Sequence, residues 1–475
     1  MIHVKINGLP SMVDEGATVL EAAEVVFVHI PTLCYFKDCE PATACMLCVV
    51  KDKSTDQLIP ACSAKVVDGM EIDTECDEVQ SARRDVLNLL LSEHVGDCEA
   101  PCTRICPAHL DVPRMLREIG SGNMEAAGWM AKRDLAIPET LGYVCPAPCE
   151  KGCRRGQIDE AITIQNLHRK VGQSCPPATP PVGGKRVAVI GSGPAGLSCA
   201  WALCQLGYAC TVFDDAPKAG GSLRENCALP SDVLDAEIQW LEHSGIAFQV
   251  GQSISMHEVS DQFEGVVFAE EQFSGTHFAD TFYAEEHKLT VKAVANGKGT
   301  ALAVDCFLRG AAPTGGTRFD SKIGKLRESE VRELLKTCSD ITGRTDSCET
   351  EAERCLHCDC RKPEDCKLRT YAEKYGADQR EFPADERRHV QIIGQGEAVL
   401  FEPGKCIKCG LCVKITQRAG EEFGLTFMGR GFNTQVVVPF GAALHKGLKV
   451  TANQCVRICP TGALAFADEA SSSSQ

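Results

Sequence analysis

Cysteines set two, three or five residues apart recur along this sequence in groups dense enough to hold metal. Cys34, Cys45, Cys48 and Cys62 form a C-x10-C-x2-C-x13-C array; Cys98, Cys102 and Cys106 are answered by Cys145, Cys149 and Cys153. Cys355, Cys358, Cys360 and Cys366 lie within twelve residues, and Cys406, Cys409 and Cys412 precede a distant Cys459-Pro460. Thiolates crowded in this way need a metal or an inorganic core between them. Disulfides are the plain alternative for 29 cysteines. That alternative fails because the chain is large, its start MIHVKINGLP lacks the basic-then-apolar order of a secretory signal, and a nucleotide-binding pattern in its middle is typical of the reducing cytosol. Zinc also takes four thiolates, but these spacings follow iron–sulfur proteins more closely than zinc ribbons. The expectation is a cytoplasmic iron–sulfur protein.

Composition agrees with that class. A net charge of −16 opposes nucleic acid and anionic membrane as partners, since both are polyanions. Apolar residues make up 44%, enough for ordinary cores in about three domains. No apolar run approaches the ~20 residues of a membrane span.

The elements that must position the first array begin with Ile2, Val4 and Ile6, which alternate ahead of a turn at Asn7-Gly8, followed by a helical stretch over 15–26. Residues 1–78 resemble the N-terminal [2Fe-2S] domain of the iron–sulfur subunit of respiratory complex I and of related hydrogenases and formate dehydrogenases. The resemblance implies a β-grasp fold and one [2Fe-2S] cluster on Cys34, Cys45, Cys48 and Cys62. Cys39 and Cys76 fall outside the array and read as free thiols.

The stretch QSARRDVLNLLLSE is an amphipathic helix leading into His94 and Cys98. Six cysteines from Cys98 to Cys153 exceed what one cubane can use. Residues 79–174 resemble the helical domain shared by the glutamate synthase small subunit and dihydropyrimidine dehydrogenase, which implies two [4Fe-4S] clusters with interleaved ligands. Carried over, one cluster takes Cys106, Cys145 and Cys149, and the other Cys98, Cys102 and Cys153; each is one ligand short. His94 stands in an H-x3-C spacing like that of complex I's histidine-ligated cluster and is assigned to the second. His168 is assigned to the first, with Gln165 one helical turn away as the alternative. Either histidine could instead be an ordinary core or surface residue.

A Pro-rich linker, CPPATPPVGGK, precedes a strand KRVAVI, a turn carrying Gly191, Gly193 and Gly196, an apolar helix, and a second strand ending at Asp214. Glycines there let the backbone approach a pyrophosphate at the helix N-terminus, and the acid can hold a ribose hydroxyl. The following stretch, from Gly220 and Gly221 through Leu223 and Arg224, resembles the glutamate synthase small-subunit family, which implies FAD rather than NAD. Residues 183–312 are then a Rossmann-like FAD-binding domain without the family's inserted NADPH domain, so direct NAD(P)H oxidation is not expected. The Gly-Asp pair that in the family touches the flavin's phosphate and ribityl is replaced by Ala284-Glu285-Glu286. An empty nucleotide fold is the rival reading. The Gly-Lys-Gly at 297–299 and the Gly-Gln-Gly at 394–396 read as turns.

Residues 313–395 read as a linker carrying the Cys355, Cys358, Cys360 and Cys366 array, assigned to one [4Fe-4S] cluster with structural zinc as the alternative; His357 reads as a bystander, and Cys338 and Cys348 as minor candidates. Residues 396–468 read as a ferredoxin-like domain. In two-cluster ferredoxins the Cys-Pro of each motif ligates the other cluster. Thr416 occupies the position that would serve a second cluster, so one remains, on Cys406, Cys409, Cys412 and Cys459, and Cys455 is a remnant. This region resembles complex I's iron–sulfur subunit. Residues 469–475 read as a solvated tail.

The expected architecture is thus multidomain α+β and α/β, holding one [2Fe-2S] and four [4Fe-4S] clusters beside FAD. Eighteen cysteines and two histidines are used; the other eleven, Cys199, Cys204 and Cys210 among them, read as small buried apolar residues. The expected function is an electron relay among an NADH-oxidising flavoprotein, ferredoxin and a hydrogenase- or formate dehydrogenase-like partner, with flavin-based bifurcation within that class. The alternatives are a self-sufficient NAD(P)H-dependent FAD oxidoreductase and a zinc-bound scaffold.

Overall fold

Val4 and Ile6 are buried while the alternating His3 and Lys5 face solvent, so the alternation at the N-terminus makes a half-buried strand. The computed structural model describes residues 1–37, 39–180, 184–252, 259, 262–269, 281–311, 318–336, 338, 341–382 and 387–467. Strand β1 (Ile2–Ile6) pairs with β2 (Leu9–Val13) through a two-residue turn in which Asn7 and Gly8 both have positive φ, 51° and 82°, the geometry that follows the twist of a hairpin. With β3 (Val49–Asp52), β4 (Gln57–Pro60) and β5 (Glu71–Asp73) they form a sheet of order β2-β1-β5-β3-β4, in which only the β1–β5 pairing is parallel. The helix Val19–Val25 is shorter than the expected 15–26. A capping box of Thr18 and Glu21 starts it late, and left-handed Phe27, φ 58°, follows its end.

Two units divide the chain: Met1–Glu99, Gly316–Thr337 and Asp359–Gln475 make the first, and Ala100–Gly315 with Cys338–Cys358 the second. They interleave in sequence, whereas a linear succession of domains was expected. The helix Asp77–Ser92 belongs to the first unit, where Val79, Arg83, Leu87 and Leu91 are buried at every fourth position; its end delivers His94. The same unit contains an antiparallel pair, Val399–Phe401 with Leu464–Phe466, and the helices Leu411–Ala419 and Ala452–Ile458.

In the second unit β6 (Arg186–Ile190), β7 (Ala209–Asp214), β8 (Ala247–Val250), β9 (Gly265–Phe268) and β10 (Thr281–Tyr283) form a wholly parallel sheet, order β10-β9-β6-β7-β8. Chain order reverses direction at β6, the place where such sheets bind ligands. The helical segment and this sheet share one core. Trp201 Nε1 donates to the Lys132 carbonyl at 2.7 Å, and buried Lys132 pairs with buried Glu237 at 2.8 Å. Glu237 also accepts the amides of Glu139 and Thr140 at 3.0 and 2.7 Å, so its charge is paired and its lone pairs are filled.

The expected tail at 469–475 and the segment 270–280 lie outside the described residues. Among the described residues no helix is long and apolar enough to cross a membrane.

Candidate iron–sulfur sites

Cys34 and Cys45 hydrogen-bond each other, and so do Cys48 and Cys62, so the four thiols of the first array converge. Within each pair one thiol is pulled down by its partner, Cys34 to about 6 and Cys62 to about 7, while Cys45 and Cys48 are pushed up. Met46, left-handed at φ 53°, bends the loop between Cys45 and Cys48.

The next groups do not follow the grouping read from sequence. Cys98 lies in the first unit with Cys360 and Cys366, and those two thiols help burial to disfavour its ionised form, raising it to about 12. The Cys360 amide donates to the Cys98 carbonyl at 3.3 Å, and the Ser321 amide donates to Cys98 Sγ at 3.4 Å. His94 belongs here too. Its Nδ1 is buried without a hydrogen-bond partner, and burial, with Lys405 nearby, lowers the ring to about 3. Lys405 reaches both sides of this group, since β-carbons built on Gly96 and Gly462 would meet it along with His94 Nε2 and Cys360 Sγ respectively. A neutral imidazole with a buried nitrogen that has no hydrogen-bond partner among the described residues, sharing the Lys405 side chain with Cys360, suits a metal-cluster ligand.

Cys102 is instead surrounded by Cys355, Cys358, Cys153 and Cys149, all in the second unit, and burial together with these neighbours pushes it up. The sequence grouping of Cys98 with Cys102 fails for a local reason. Ala100 is extended (φ −65°, ψ 150°) and Pro101 opens the short helix Pro101–Ile105, so Cys98 is outside the turn that carries Cys102. The four cysteines from Cys355 to Cys366 likewise separate after Cys358. The zinc alternative drew on those four as one set; Cys355 and Cys358 neighbour Cys102, and Cys360 and Cys366 neighbour Cys98. His357 is left-handed at φ 45°, and its amide donates to Cys355 Sγ at 3.4 Å.

Buried charges hold Cys355 in place. Arg354 pairs with Glu351 at 2.8 Å and with Asp159 at 3.2 Å, and Asp159 also pairs with Arg155 at 2.7 Å. Arg155 in turn donates to the Arg354 carbonyl at 3.1 Å and to Cys338 Sγ at 3.7 Å, which places Cys338 beside an arginine. Cys348 packs on the adjoining core.

Cys106, Cys145 and Cys149 are mutual neighbours, as sequence suggested. Gln165 reaches the backbone of one of them: its Nε2 donates to the Cys145 carbonyl at 2.6 Å, and its amide donates to Glu150 at 2.9 Å. His168 turns away, its Nδ1 bonded to the Pro138 carbonyl at 2.9 Å. The helix Ile164–Val171 thus directs Gln165, the alternative, to the cysteines.

The last group is a formed cradle. Cys406, Cys409, Cys412 and Cys459 line one small pocket together with apolar side chains such as Phe401 and Leu464. Lys408, left-handed at φ 55°, aims its amide at Cys406 Sγ, 3.4 Å away. Thr416 is occupied with its own backbone, accepting from Leu425 N–H at 3.0 Å, and Cys455 is wholly buried.

At the nucleotide fold the residues do not fit a bound dinucleotide as they stand. Glu286 Oε1 accepts the Ala195 amide at 2.9 Å at the start of the helix Pro194–Gln205, and a β-carbon on Gly193 would overlap it. Gly191 is left-handed (φ 102°), and Gly196 lies against its carbonyl. Asp214 accepts the amides of Ser192 and Ala216 at 2.8 and 2.9 Å and the Ser192 hydroxyl. Arg224 pairs with Asp235 at 2.6 Å, Leu223 is buried, and Gly221 rests on Gly193.

Residues 1–76 match the 2Fe-2S iron–sulfur cluster binding domain. Residues 78–176 match domain II of dihydropyrimidine dehydrogenase, the 4Fe-4S cluster family. The first 176 residues are thus similar to iron–sulfur cluster domains. Residues 189–251 add a match to the NAD(P)-binding Rossmann-like domain. The "NADP(+)-dependent formate dehydrogenase subunit beta" of Moorella thermoacetica is 34% identical over 205 residues, covering 36% of this chain and 29% of that protein. The "NADPH-Fe(3+) oxidoreductase subunit beta" of Geobacter sulfurreducens is 32% identical over 186 residues and 28% of its length. The "Glutamate synthase [NADPH] small chain" of Bacillus subtilis is 32% identical over 195 residues and 40% of its length. The chain thus spans less than half of each curated relative. Among solved structures, an NAD+-reducing [NiFe]-hydrogenase aligns over 98% of this chain and 87% of that one at 12% identity, with a TM-score of 0.39.

Proposed function

We propose that this chain is an electron-relay subunit of a multisubunit NAD(P)H- or ferredoxin-linked oxidoreductase, with one [2Fe-2S] and four [4Fe-4S] clusters. The observation that supports this reading is that cysteines neighbour one another in five separate places, which we read as five four-ligand sets. Besides the Cys34, Cys45, Cys48, Cys62 set and the ferredoxin-like set, the groups are His94 with Cys98, Cys360 and Cys366; Cys102 with Cys153, Cys355 and Cys358; and Gln165 with Cys106, Cys145 and Cys149. Iron–sulfur clusters supply one-electron transfer at potentials set by their surroundings. The protein's part is to fix the ligands and exclude water, which is supported by eleven of the eighteen thiols being buried and the other seven half-buried. A formate dehydrogenase-like catalytic partner is suggested by one relative's printed name; an NADH-oxidising flavoprotein, a hydrogenase-like subunit and ferredoxin are the partners that the sequence resemblance implies. The β-grasp reading of residues 1–78 is supported by the mixed sheet order and its capped helix.

The test is iron and sulfide analysis with EPR on protein purified without oxygen, repeated on serine variants. Iron should match one two-iron and four four-iron centres. Cys98→Ser and Cys360→Ser should perturb one EPR signal, and Cys102→Ser and Cys355→Ser a different one. Iron-free protein, or a shared signal for Cys98→Ser and Cys102→Ser, defeats the assignment. Full bleaching by NADPH with no partner present would favour the self-sufficient oxidoreductase instead.

A further inference from the structure

The nucleotide fold in the second unit has the shape of a dinucleotide site but carries its own anion. Three features meet at the C-terminal end of β6. The helix Pro194–Gln205 turns its N-terminus, with free amides and the positive end of its dipole, toward the glycine turn. Glu286 fills that position: its carboxylate accepts from Ala195 N–H at 2.9 Å and takes the space that the missing side chain of Gly193 leaves open. Asp214, the acid expected to meet a ribose, is satisfied by Ser192 and Ala216. The Gly220 amide bonds to Ser192 Oγ at 2.9 Å, drawing the loop after β7 onto the same turn.

Glu286 is held there by its neighbours in the chain. It sits between β10 and the helix Thr290–Arg309, on a connection whose Ala284 amide bonds to the Phe268 carbonyl at 2.8 Å and whose Glu285 carbonyl accepts from Asn296 Nδ2 at 3.2 Å. That helix packs directly on Pro194–Gln205, because Gly297 lies against the Ala195 carbonyl where any β-carbon would clash.

We propose that Glu286 stands in for a diphosphate oxygen and keeps the nucleotide fold closed to FAD and NAD(P), so that a dinucleotide binds only by displacing it. A ligand phosphate and the carboxylate compete for the same amides, and both are anions, so they cannot share the place.

The experiment uses the full-length, cluster-loaded protein and its Glu286→Gln and Glu286→Ala variants, with FAD and NADPH as probes in equilibrium dialysis and bound flavin measured after purification. Wild type should carry much less than one flavin per chain. Glu286→Ala should bind a dinucleotide about tenfold tighter or better, the scale of one charge contact at a helix N-terminus, and Glu286→Gln should lie between. Iron content checks folding; if Glu286→Ala loses iron, the comparison rests on Glu286→Gln, which keeps the side chain's shape. One FAD per wild-type chain, or equal affinities in proteins of equal iron content, overturns the proposal. Neither outcome bears on the relay reading, which iron analysis tests separately.

Discussion

Residues that break backbone rules gather at the cysteine loops. Met46, His357 and Lys408 take left-handed φ without being glycine, as does Ala147 at φ 48° beside Cys145. Each costs on the order of 1 kcal/mol. In return, amides turn toward sulfur, as at Cys355 and Cys406. Charge is placed with similar care. Lys405 is 4% exposed, is held by Glu402 at 2.7 Å and faces Cys360. A buried cation favours the more negative, reduced state of a neighbouring cluster. Lys405→Met should therefore lower the potential of the His94, Cys98, Cys360, Cys366 centre by some tens of millivolts, on a Coulomb scale softened by Glu402. A redox titration followed by EPR reads the shift.

His168 gives the pH dependence. Burial lowers it from 6.5 to about 4, so the folded state prefers the neutral ring and the unfolded chain binds the proton first on acidification. Its contribution is complete above pH 6.5 and is lost as pH falls toward 4. Between pH 7 and 5 this amounts to about 2 kcal/mol. His168→Gln should flatten the stability profile in that window and leave iron content unchanged, as measured by urea unfolding at each pH. Loss of iron would return His168 to the ligand set in place of Gln165.

At the scale of elements, much was legible from patterns that depend on near neighbours. The alternation of β1, the Asn7-Gly8 turn and the helix ending before His94 follow from periods of two and 3.6. The parallel order of β6 and β7 around the glycine turn follows as well. What sequence could not give is which cysteines meet across some 250 positions. Spacing reports local reach, and the chain leaves the first unit between Glu99 and Ala100 and re-enters it between Cys358 and Asp359. The signal present was arithmetic: two groups each one ligand short, and a third holding four at once. Likewise Gln165 and His168 lie three residues apart on one helix, and only the packing of Pro138 against the imidazole separates them. The element carrying Cys355 depends on Arg354, which is wholly buried between Glu351 and Asp159. Arg354→Met takes the guanidinium from buried Glu351, while Asp159 keeps Arg155, and should cost about 3 kcal/mol. Thermal unfolding should register that loss, and the EPR signal of the Cys102 set should weaken while that of the Cys34 set stays.

At the scale of the whole molecule, the two units are knitted by a chain that passes between them at 99/100, near 315, near 338 and at 358/359. No single cut yields either one. During synthesis this sets an order in which binding sites can be completed. The Cys34–Cys62 set is finished once residue 62 has left the ribosome, and the Gln165 set soon after residue 165. His94 and Cys98 wait for Cys366, some 270 residues later, or roughly 13–55 s at ordinary rates of translation. For most of that interval a nascent chain with two finished sets carries unmet thiols from two others, Cys98 and the pair Cys102 and Cys153, and whatever delivers iron must find it more than once.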